Sequence, residues 1–313
     1  MSKGNMLLGY ARGKVGSLVF ARRKGEQITR ARNFAPANPR TNAQMSQRMK
    51  MYAPVQLYRQ SMRRFFKFAF NTAAHETIFN AYMRENIGNA PWVSRELSVA
   101  QAPIPFPARM SSGSLAGFKA AEGLSDVAPY SLNSYLIQSP EDYGIAMKIE
   151  QDGELTLGEI SQSILGANPS LQVGDQLTFV LCRTEGLQSE NGDVLYDGIS
   201  PFEFLYAKFV LNPESSRMPG EAGLINFTRE GSTGGNIFGI RIEGDGNDAC
   251  VGGCIIVTRN VGSTVIASNT VLTLNEYANS IYNVMRTDAY REKAALSYKV
   301  TPDAYLNPAT TEV

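Results

Sequence analysis

The chain has 313 residues, 43% of them hydrophobic and 10% aromatic, a composition that excludes a wholly disordered protein. No run of about 20 apolar residues is present, so the sequence predicts no transmembrane helix, and the apolar run near the N-terminus is too short for a secretory signal. The formal net charge is +1, but residues 1–67 hold 15 basic residues and one acid, Glu26, and carry +14. Residues 68–313 hold the other 15 basic residues and 28 acids, and carry −13. Such a division predicts a polyanionic partner, either nucleic acid or an anionic membrane.

The sequence offers few residues for catalysis. His75 is the only histidine, and the chain contains no GxSxG, Walker A, HExxH or helix-opening GxGxxG motif. The three cysteines, Cys182, Cys250 and Cys254, make no disulfide framework and predict a reducing compartment. We therefore expect a protein that is not an enzyme and needs no cofactor. Carboxylate chemistry, which needs no histidine, is the remaining enzymatic alternative.

A basic β-hairpin is predicted near the N-terminus. Residues 17–23 and 27–32 are rich in Val, Ile, Phe and Thr, and Lys24-Gly25 between them is a turn signal. Arginines on a two-stranded ribbon can reach phosphates, whereas the alternative is a solvated hairpin whose cations serve only solubility. Its cations are Arg22, Arg23, Lys24, Arg30 and Arg32.

Helices are predicted to follow the hairpin. Thr41 with Gln44 fits a capping box, so a helix should begin near Asn42, and Pro54 should end or kink it. The helical period returns over residues 55–71, and a third helix is expected over residues 72–86. Arg59, Arg63 and Lys67 follow i, i+4, i+8 spacing along the second helix, and the apolar stripe beside them is Val55, Tyr58, Met62, Phe65, Phe66 and Ala69.

Three interpretations of these basic helices stay open. They could bind nucleic acid, lie on an anionic membrane, or dock on the body through the apolar stripe. Membrane binding is the weakest interpretation, because the cations extend over hairpin, connector and helices instead of forming one polar helix face. Aromatic residues of the segment could stack bases, although helical spacing favours a core position for most of them. They are Tyr52, Tyr58, Phe65, Phe66, Phe68 and Phe70.

The fold class predicted from these patterns is α+β. Residues 1–88 form the basic hairpin and helical region, residues 89–117 a linker with Trp92 as a packing anchor, residues 118–275 an antiparallel β-sandwich, Ig-like or jelly-roll-like, and residues 276–313 a C-terminal helix and tail. A short helix is expected over residues 157–165 and another over 280–299, and Arg259-Asn260-Val261-Gly262 is a predicted turn. The strands are predicted at residues 144–150, 176–183, 202–211, 224–227, 236–243, 254–259 and 264–274.

Three weaker candidate sites have simpler structural explanations. Cys250-x3-Cys254 lacks a second ligand pair, so strand cysteines are favoured over a zinc site. Residues 243–248, EGDGND, are oxygen-rich but lack the calcium-loop pattern, and a hairpin turn between strands is favoured. The paired acids are assigned to solvated loops, and they are Glu154 with Glu159 and Asp193 with Asp197.

Five segments of the chain carry a family likeness. They are GKVGSLVFARRKGEQITRARN, NPRTNAQMSQRMKM, FNAYMRENIGNA, ARMSSGSLAG and CIIVTRNVGSTVIAS. The chain resembles a family of unknown function found in gut bacteria and their phages, including phages with single-stranded DNA. The resemblance is distinctive over residues 9–50, moderate to about residue 117 and weak beyond. Some phage members are described as DNA-binding, which implies nucleic-acid binding here. The long acidic C-terminal region departs from the family and implies an additional structural role.

These observations predict a non-enzymatic phage-type protein of the host cytoplasm or virion that binds nucleic acid, DNA in preference to RNA, with single-stranded DNA as first choice. A structural virion subunit is the alternative, in which the basic region contacts a neighbouring subunit. A homo-oligomer or virion assembly is expected, with no metal and no membrane partner. The predicted phosphate-binding residues are Arg12, Lys14, Arg22, Arg23, Lys24, Arg30, Arg32, Arg40, Arg48, Arg59, Arg63 and Lys67.

Overall fold

The described residues form a mixed α+β fold with several antiparallel sheets, and no closed sandwich or barrel is identified among them. The α+β prediction is therefore confirmed at that level. The computed structural model describes residues 12–23, 26–34, 41–60, 66–72, 76–99, 104, 106–121, 133–138, 142–149, 154–185, 203–219, 225–229, 236–243 and 248–298.

A three-stranded antiparallel sheet forms the N-terminal element, with strands β1 (Gly13–Val15), β2 (Leu18–Arg23) and β3 (Glu26–Ala31). The predicted hairpin is β2 with β3, and this prediction is confirmed. Strand β1 was missed because its three residues are too short to show a period. Gly16 has φ +55°, a left-handed conformation that glycine adopts without strain, and so turns the chain between β1 and β2. The predicted turn at Lys24-Gly25 lies outside the described residues.

Seven helices are formed by the described residues. The first begins at Asn42 as predicted, where the Gln44 N–H donates to Thr41 Oγ1 at 3.4 Å. Their bounds are α1 (Asn42–Gln60), α2 (Phe66–Ala69), α3 (Ile78–Asn86), α4 (Arg95–Val99), α5 (Leu157–Ala167), α6 (Glu276–Val284) and α7 (Asp288–Ser297).

Pro54 lies inside α1, so the expectation that it ends the helix is wrong. A buried stripe at four-residue spacing continues on both sides of the proline, and this packing holds the helix together where one backbone hydrogen bond is lost. The Pro54 carbonyl also accepts a hydrogen bond from the hydroxyl of buried Tyr82, at 3.2 Å. The stripe consists of Met45, Met49, Ala53 and Leu57.

Two other helix predictions need correction, and capping explains both. The third helix begins at Ile78 and not at residue 72, because Thr77 caps it by accepting from the Asn80 N–H. The single helix expected over residues 280–299 is two helices, α6 and α7. Asn275 caps the first and Thr287 caps the second, and each cap fixes a separate start.

Two larger sheets and a short strand pair make up the β-rich part. Their strands are β4 (Arg109–Ser111), β5 (Lys119–Ala121), β6 (Asn133–Gln138), β7 (Asp142–Ile149), β8 (Gln176–Glu185), β9 (Glu203–Val210), β10 (Ile225–Arg229), β11 (Asn236–Glu243), β12 (Asp248–Val261), β13 (Thr264–Ala267), β14 (Thr270–Val271) and β15 (Thr273–Leu274). One sheet has the order β10-β11-β7-β6-β5, in which β5 and β6 run parallel, a departure from the predicted all-antiparallel arrangement. The other has the order β13-β12-β8-β9, with β15 also paired to β12, and β14 pairs with β4.

The connections around β12 differ from the predictions. Strands β11 and β12 belong to different sheets, so the EGDGND segment between them does not join a hairpin. Arg259 and Asn260 are still within β12, and the turn to β13 comes two residues later, at Gly262-Ser263. Gly262 has φ +61°, which identifies the residue that makes this turn. The predicted strand over residues 264–274 is divided into β13, β14 and β15.

The two larger sheets share one apolar core. The ring of Phe238 in β11 lies 5.6 Å from that of Phe179 in β8 and 4.9 Å from that of Phe209 in β9, both edge-to-face. Side chains of α5 complete this core. Such aromatic contacts add to the burial of large apolar surface, so they fix how the sheets meet.

A second core lies between the helices and β12. It combines Leu57 of α1 and Tyr82 of α3 with Phe106, Ile256 of β12 and Met285. Side chains from both sides of the predicted linker, and from within it, therefore pack together. The division into domains stays a prediction.

The start of α5 yields a testable pH effect. Thr156 Oγ1 accepts from the Glu159 N–H at 3.3 Å, and the Glu159 carboxylate accepts from the Thr156 N–H at 2.8 Å and from its hydroxyl at 2.9 Å. Glu159 is thus part of a capping box at the start of α5. Its assignment to a loop is therefore wrong. These hydrogen bonds lower the pKa of Glu159.

Replacing Thr156 with Ala is expected to raise the pKa of Glu159 towards its ordinary value, since the hydroxyl bond is lost. A carboxylate with a lowered folded-state pKa stabilises the fold above its unfolded pKa, and this contribution disappears as pH falls through the folded pKa. In the variant, the free energy of unfolding should therefore depend less on pH in the acid range. Side-chain NMR titration of Glu159 measures the shift, and an unchanged pKa in the variant would contradict the assignment.

Candidate nucleic-acid interface

The register of the N-terminal sheet brings predicted cations onto one face. Lys14 stands opposite Val19, and Val19 stands opposite Arg30. Directly paired residues share a face, so Lys14 and Arg30 lie on the same side, about 10 Å apart across three strands. The Arg32 N–H donates to the Ser17 carbonyl at 2.6 Å, which extends the β2–β3 pairing by one position. Alternation then places Arg32 on the face of Arg30.

This basic face (Lys14, Arg30 and Arg32) is open to solvent. All three side chains are exposed, as is that of Arg12 just before β1. The Arg32 guanidinium lies 4.6 Å from the ring centre of Phe34, itself strongly exposed. A cation held over an exposed aromatic ring combines the two groups that single-stranded nucleic acids contact, phosphates and bases.

Two more predicted cations lie on α1. Arg48 and Arg59 are both exposed and lie eleven positions apart in the sequence. Eleven residues are about three helical turns, so both lie on the same side of α1, about 16 Å apart along its axis. The structure thus has two groups of exposed basic residues, one on the N-terminal sheet and one on α1.

The other predicted site residues are only partly described. Arg22 and Arg23 belong to strand β2, and Lys67 to helix α2. Lys24, Arg40 and Arg63 lie outside the described residues. Helix α1 has its last residue at Gln60 and α2 its first at Phe66, so the basic stripe through Arg59, Arg63 and Lys67 stays a prediction.

An open cavity of about 380 Å³ lies where α2 meets the second large sheet. Phe68 of α2 and Tyr206 of β9 line it, with side chains 50% and 51% exposed. Lys208, two residues along β9, adds a positive charge. The remaining lining residues are Gln176, Thr258, Asn260 and Val265.

Only part of this cavity was visible in the sequence. Phe68 was named as a possible stacking residue, whereas Tyr206 and Lys208 were assigned only to a strand. Alternation along β9 was the missed signal, since Ala207 and Phe209 are buried while Tyr206, Lys208 and Val210 are exposed. Two predicted stacking aromatics, Tyr52 and Tyr58, are half-buried, and Phe70 is buried.

The candidate metal residues are only partly described. Among the residues that the structure describes, no three His, Cys, Asp or Glu side chains are grouped so as to hold a metal ion. Cys254 is fully buried in the second core, and this burial raises the pKa of its thiol. A buried neutral thiol is typical of a packing cysteine. His75, Asp193 and Asp197 lie outside the described residues.

Within the described parts of the chain, no helix has both the length and the apolar character needed to cross a membrane.

The predicted packing role of Trp92 agrees with its position. Its ring packs between Met45 and Met49 of α1 and Ala294 and Ala295 of α7, and it is 9% exposed. The indole therefore joins the N-terminal helix to the last helix.

Comparison with known protein families gives a match over the N-terminal part of the chain. A family described as of unknown function, DUF6266, matches residues 10–95, which hold the N-terminal sheet and helices α1 to α3. Searches of curated proteins and of solved structures found no match. The similarity to a family of unknown function, expected from the N-terminal motifs, is thus confirmed over residues 10–95.

Proposed function

We propose that this protein binds single-stranded nucleic acid, DNA in preference to RNA, through the basic face of its N-terminal sheet. The observation that carries the proposal is the pairing of Lys14, Val19 and Arg30, with Arg32 beside them, in a segment that contains one acid, Glu26. Exposed cations on one face attract phosphates, and the counterions they displace favour association. The protein acts as a non-enzymatic phage-type binding protein of the host cytoplasm or virion.

The acidic remainder of the chain serves as the body in this proposal. We assign residues 118–275 to a sandwich-like unit, residues 89–117 to the connection, and residues 276–313 to a C-terminal extension. Support for the sandwich comes from the edge-to-face contacts of Phe238 with Phe179 and Phe209. The negative charge of the body would repel nucleic acid, which directs binding to the basic segment.

Fluorescence anisotropy with a labelled oligothymidylate tests the proposal. The full chain is titrated at low salt, and unlabelled duplex DNA and RNA of equal length compete for binding. The expected result is saturable binding that single-stranded DNA competes best. Absence of binding at low salt would refute the function, and stronger competition by RNA or duplex would reassign the ligand.

The cavity at Phe68 and Tyr206 supplies a stacking surface for a base in the same proposal. Replacing Tyr206 with Ala is expected to weaken oligothymidylate binding about tenfold, since stacking of one base on an aromatic ring contributes about 1–3 kcal/mol. The salt dependence should stay unchanged, because no phosphate contact is lost. Anisotropy titrations at several salt concentrations measure both quantities.

Replacing Val210 with Ala is the matched control for that variant. Val210 is equally exposed on the same side of β9 but does not line the cavity. Equal losses of affinity in the two variants would show that the cavity has no specific role.

A second candidate function, an assembly subunit of a virion, is favoured by the other face of the N-terminal sheet. Val15 and Leu18 stand opposite each other there, and both are more than 40% exposed. Adjacent exposed apolar side chains on a strand pair are typical of surfaces that a second chain covers. Light scattering after size exclusion should give an oligomer, and conversion to a monomer by Val15→Lys would locate the contact.

A further inference from the structure

Trp92, the only tryptophan of the chain, is surrounded by positive charge from distant parts of the sequence. Lys50 Nζ lies 4.8 Å from its ring centre, Arg291 Cζ 5.3 Å and Arg286 Cζ 5.5 Å. Lys50 belongs to α1, Arg291 to α7, and Arg286 to the turn between α6 and α7. The fold therefore gathers three cations around one aromatic ring, in the part of the molecule where the first and last helices meet.

The ring is a fixed platform for these charges. Besides its packing between α1 and α7, the Trp92 indole N–H donates to Ser46 Oγ at 3.3 Å. A buried aromatic ring whose N–H is hydrogen-bonded has a defined orientation. The three cations therefore have defined positions relative to it.

The described partners of these cations include neutral carbonyls and one exposed carboxylate. Arg286 Nη1 donates to the Gly88 and Ala90 carbonyls at 3.0 and 3.1 Å, which are neutral acceptors that fix the guanidinium without cancelling its charge. Arg291 pairs with Asp288 at 3.0 Å, and the Asp288 side chain is 76% exposed. No carboxylate contacts Lys50 within the described part of the chain. The described contacts of these two arginines are thus to neutral carbonyls and to a solvent-exposed acid.

The pKa of Lys50 reflects its burial and the positive charges around it. Burial, followed by the positive charges of Arg286 and Arg291, lowers the pKa of Lys50. All three side chains are half-buried, so their charges act on one another in a less polar medium than water. A bound anion would relieve the repulsion among them.

We propose that Lys50, Arg286 and Arg291 form a binding site for a phosphate-class oxyanion beside Trp92. The hydrogen bonds of Arg286 to the Gly88 and Ala90 carbonyls use Nη1, so its Nε and Nη2 hydrogens can point to an oxyanion, and the lysine ammonium adds up to three donors. Guanidinium groups and ammonium groups are the side chains that bind phosphate oxygens best. The ligand is either inorganic phosphate or a phosphodiester of nucleic acid. This site does not depend on the basic face of the sheet.

Trp92 fluorescence reports directly on this site, because no other tryptophan emits. The full chain is titrated with sodium phosphate and, separately, with sodium chloride at matched ionic strength, and the melting temperature is measured in both. The expected result is a saturable change in emission with phosphate alone and a higher melting temperature in phosphate. A parallel titration with oligothymidylate identifies the source of the phosphate group.

Variants of Lys50 make the test specific. Lys50→Met keeps the apolar stem and removes the charge, so the phosphate affinity should fall at least tenfold, whereas Lys50→Arg should keep it. Lys50→Gln is the second neutral variant, in case methionine perturbs folding. Asp288→Asn, which removes the competing acid, should increase the affinity.

Each outcome decides the proposal. Equal responses to phosphate and chloride, or unchanged phosphate binding by both neutral Lys50 variants, would overturn it. A phosphate response with no oligothymidylate response supports a site for free phosphate, and responses to both support a phosphodiester contact. The variant Lys14→Gln/Arg30→Gln/Arg32→Gln should keep the phosphate response, which separates a failure here from a failure of the proposed function.

Discussion

Neutralising the basic face with the triple change Lys14→Gln/Arg30→Gln/Arg32→Gln is expected to weaken oligothymidylate binding about 100-fold at 0.1 M salt. Each phosphate contact on single-stranded nucleic acid contributes about 0.7 to the slope of log affinity against log salt, so one contact corresponds to about fivefold at this salt concentration. Three contacts multiply to the stated loss. Anisotropy titration of the wild type and the variant measures it.

The matched control removes three cations from the acidic body. Lys119, Lys148 and Lys293 lie on β5, β7 and α7, and their change to Gln alters the net charge by the same amount. We expect at most a few-fold loss of affinity from this control. If the two triple variants lose affinity equally, general charge accounts for the binding, and the basic face has no special role.

The largest expected loss of stability comes from the ion pair of Arg259 and Asp175. Arg259 Nε and Nη2 lie 2.7 Å from the two carboxylate oxygens, and Nη2 also donates to the Ser170 carbonyl at 2.8 Å. The Asp175 side chain is 1% exposed and also accepts from the Gln172 N–H. This bidentate contact ties β12 to the loop before β8, and the carboxylate raises the pKa of Arg259.

Changing Arg259 to Met is expected to lower the free energy of unfolding by about 3–5 kcal/mol, because a buried carboxylate is left without its counter-charge. Urea denaturation measures the change. The double variant Arg259→Met/Asp175→Asn should recover part of the loss, since no unpaired buried charge remains. As control, Arg84→Met removes the ion pairs of an exposed arginine with Glu76 and Glu85 and should change stability little. Equal effects at Arg259 and Arg84 would contradict the importance of burial.

Local signals in the sequence predicted several elements. The hairpin β2–β3 follows from Val, Ile and Thr around Lys24-Gly25, and the start of α1 follows from Thr41. Strand β11 was predicted with its observed bounds. These features depend on neighbours within a few residues, which a sequence displays directly.

Contacts between distant segments could not be predicted in the same way. The segment EGDGND resembles a hairpin turn, yet β11 and β12 pair with strands of different sheets, and sheet membership depends on the whole chain. Proline is a local breaker, but packing on both sides of Pro54 keeps α1 continuous. Lys50 and Arg286 lie far apart in sequence, and only folding places them around Trp92.

The candidate site was predicted in composition and only partly in arrangement. The sequence identified the cations of the hairpin. The alternation of side chains along each strand could also have predicted which face each cation lies on. The pairing of Lys14 with Val19 could not be predicted from the sequence, because β1 is too short to show a period and its position depends on the turn at Gly16. Tyr206 joins Phe68 only through the packing of α2 on the sheet.

The slope of log affinity against log salt for oligothymidylate, measured side by side for the wild type and the Lys14→Gln/Arg30→Gln/Arg32→Gln variant, tests the central claim most directly. If about ten of the basic residues in residues 1–67 contact phosphates, the wild-type slope is about −7. The variant should then be less negative by about 2, since three contacts are lost. A wild-type slope near zero, or identical slopes for the two proteins, would contradict phosphate binding by the basic face.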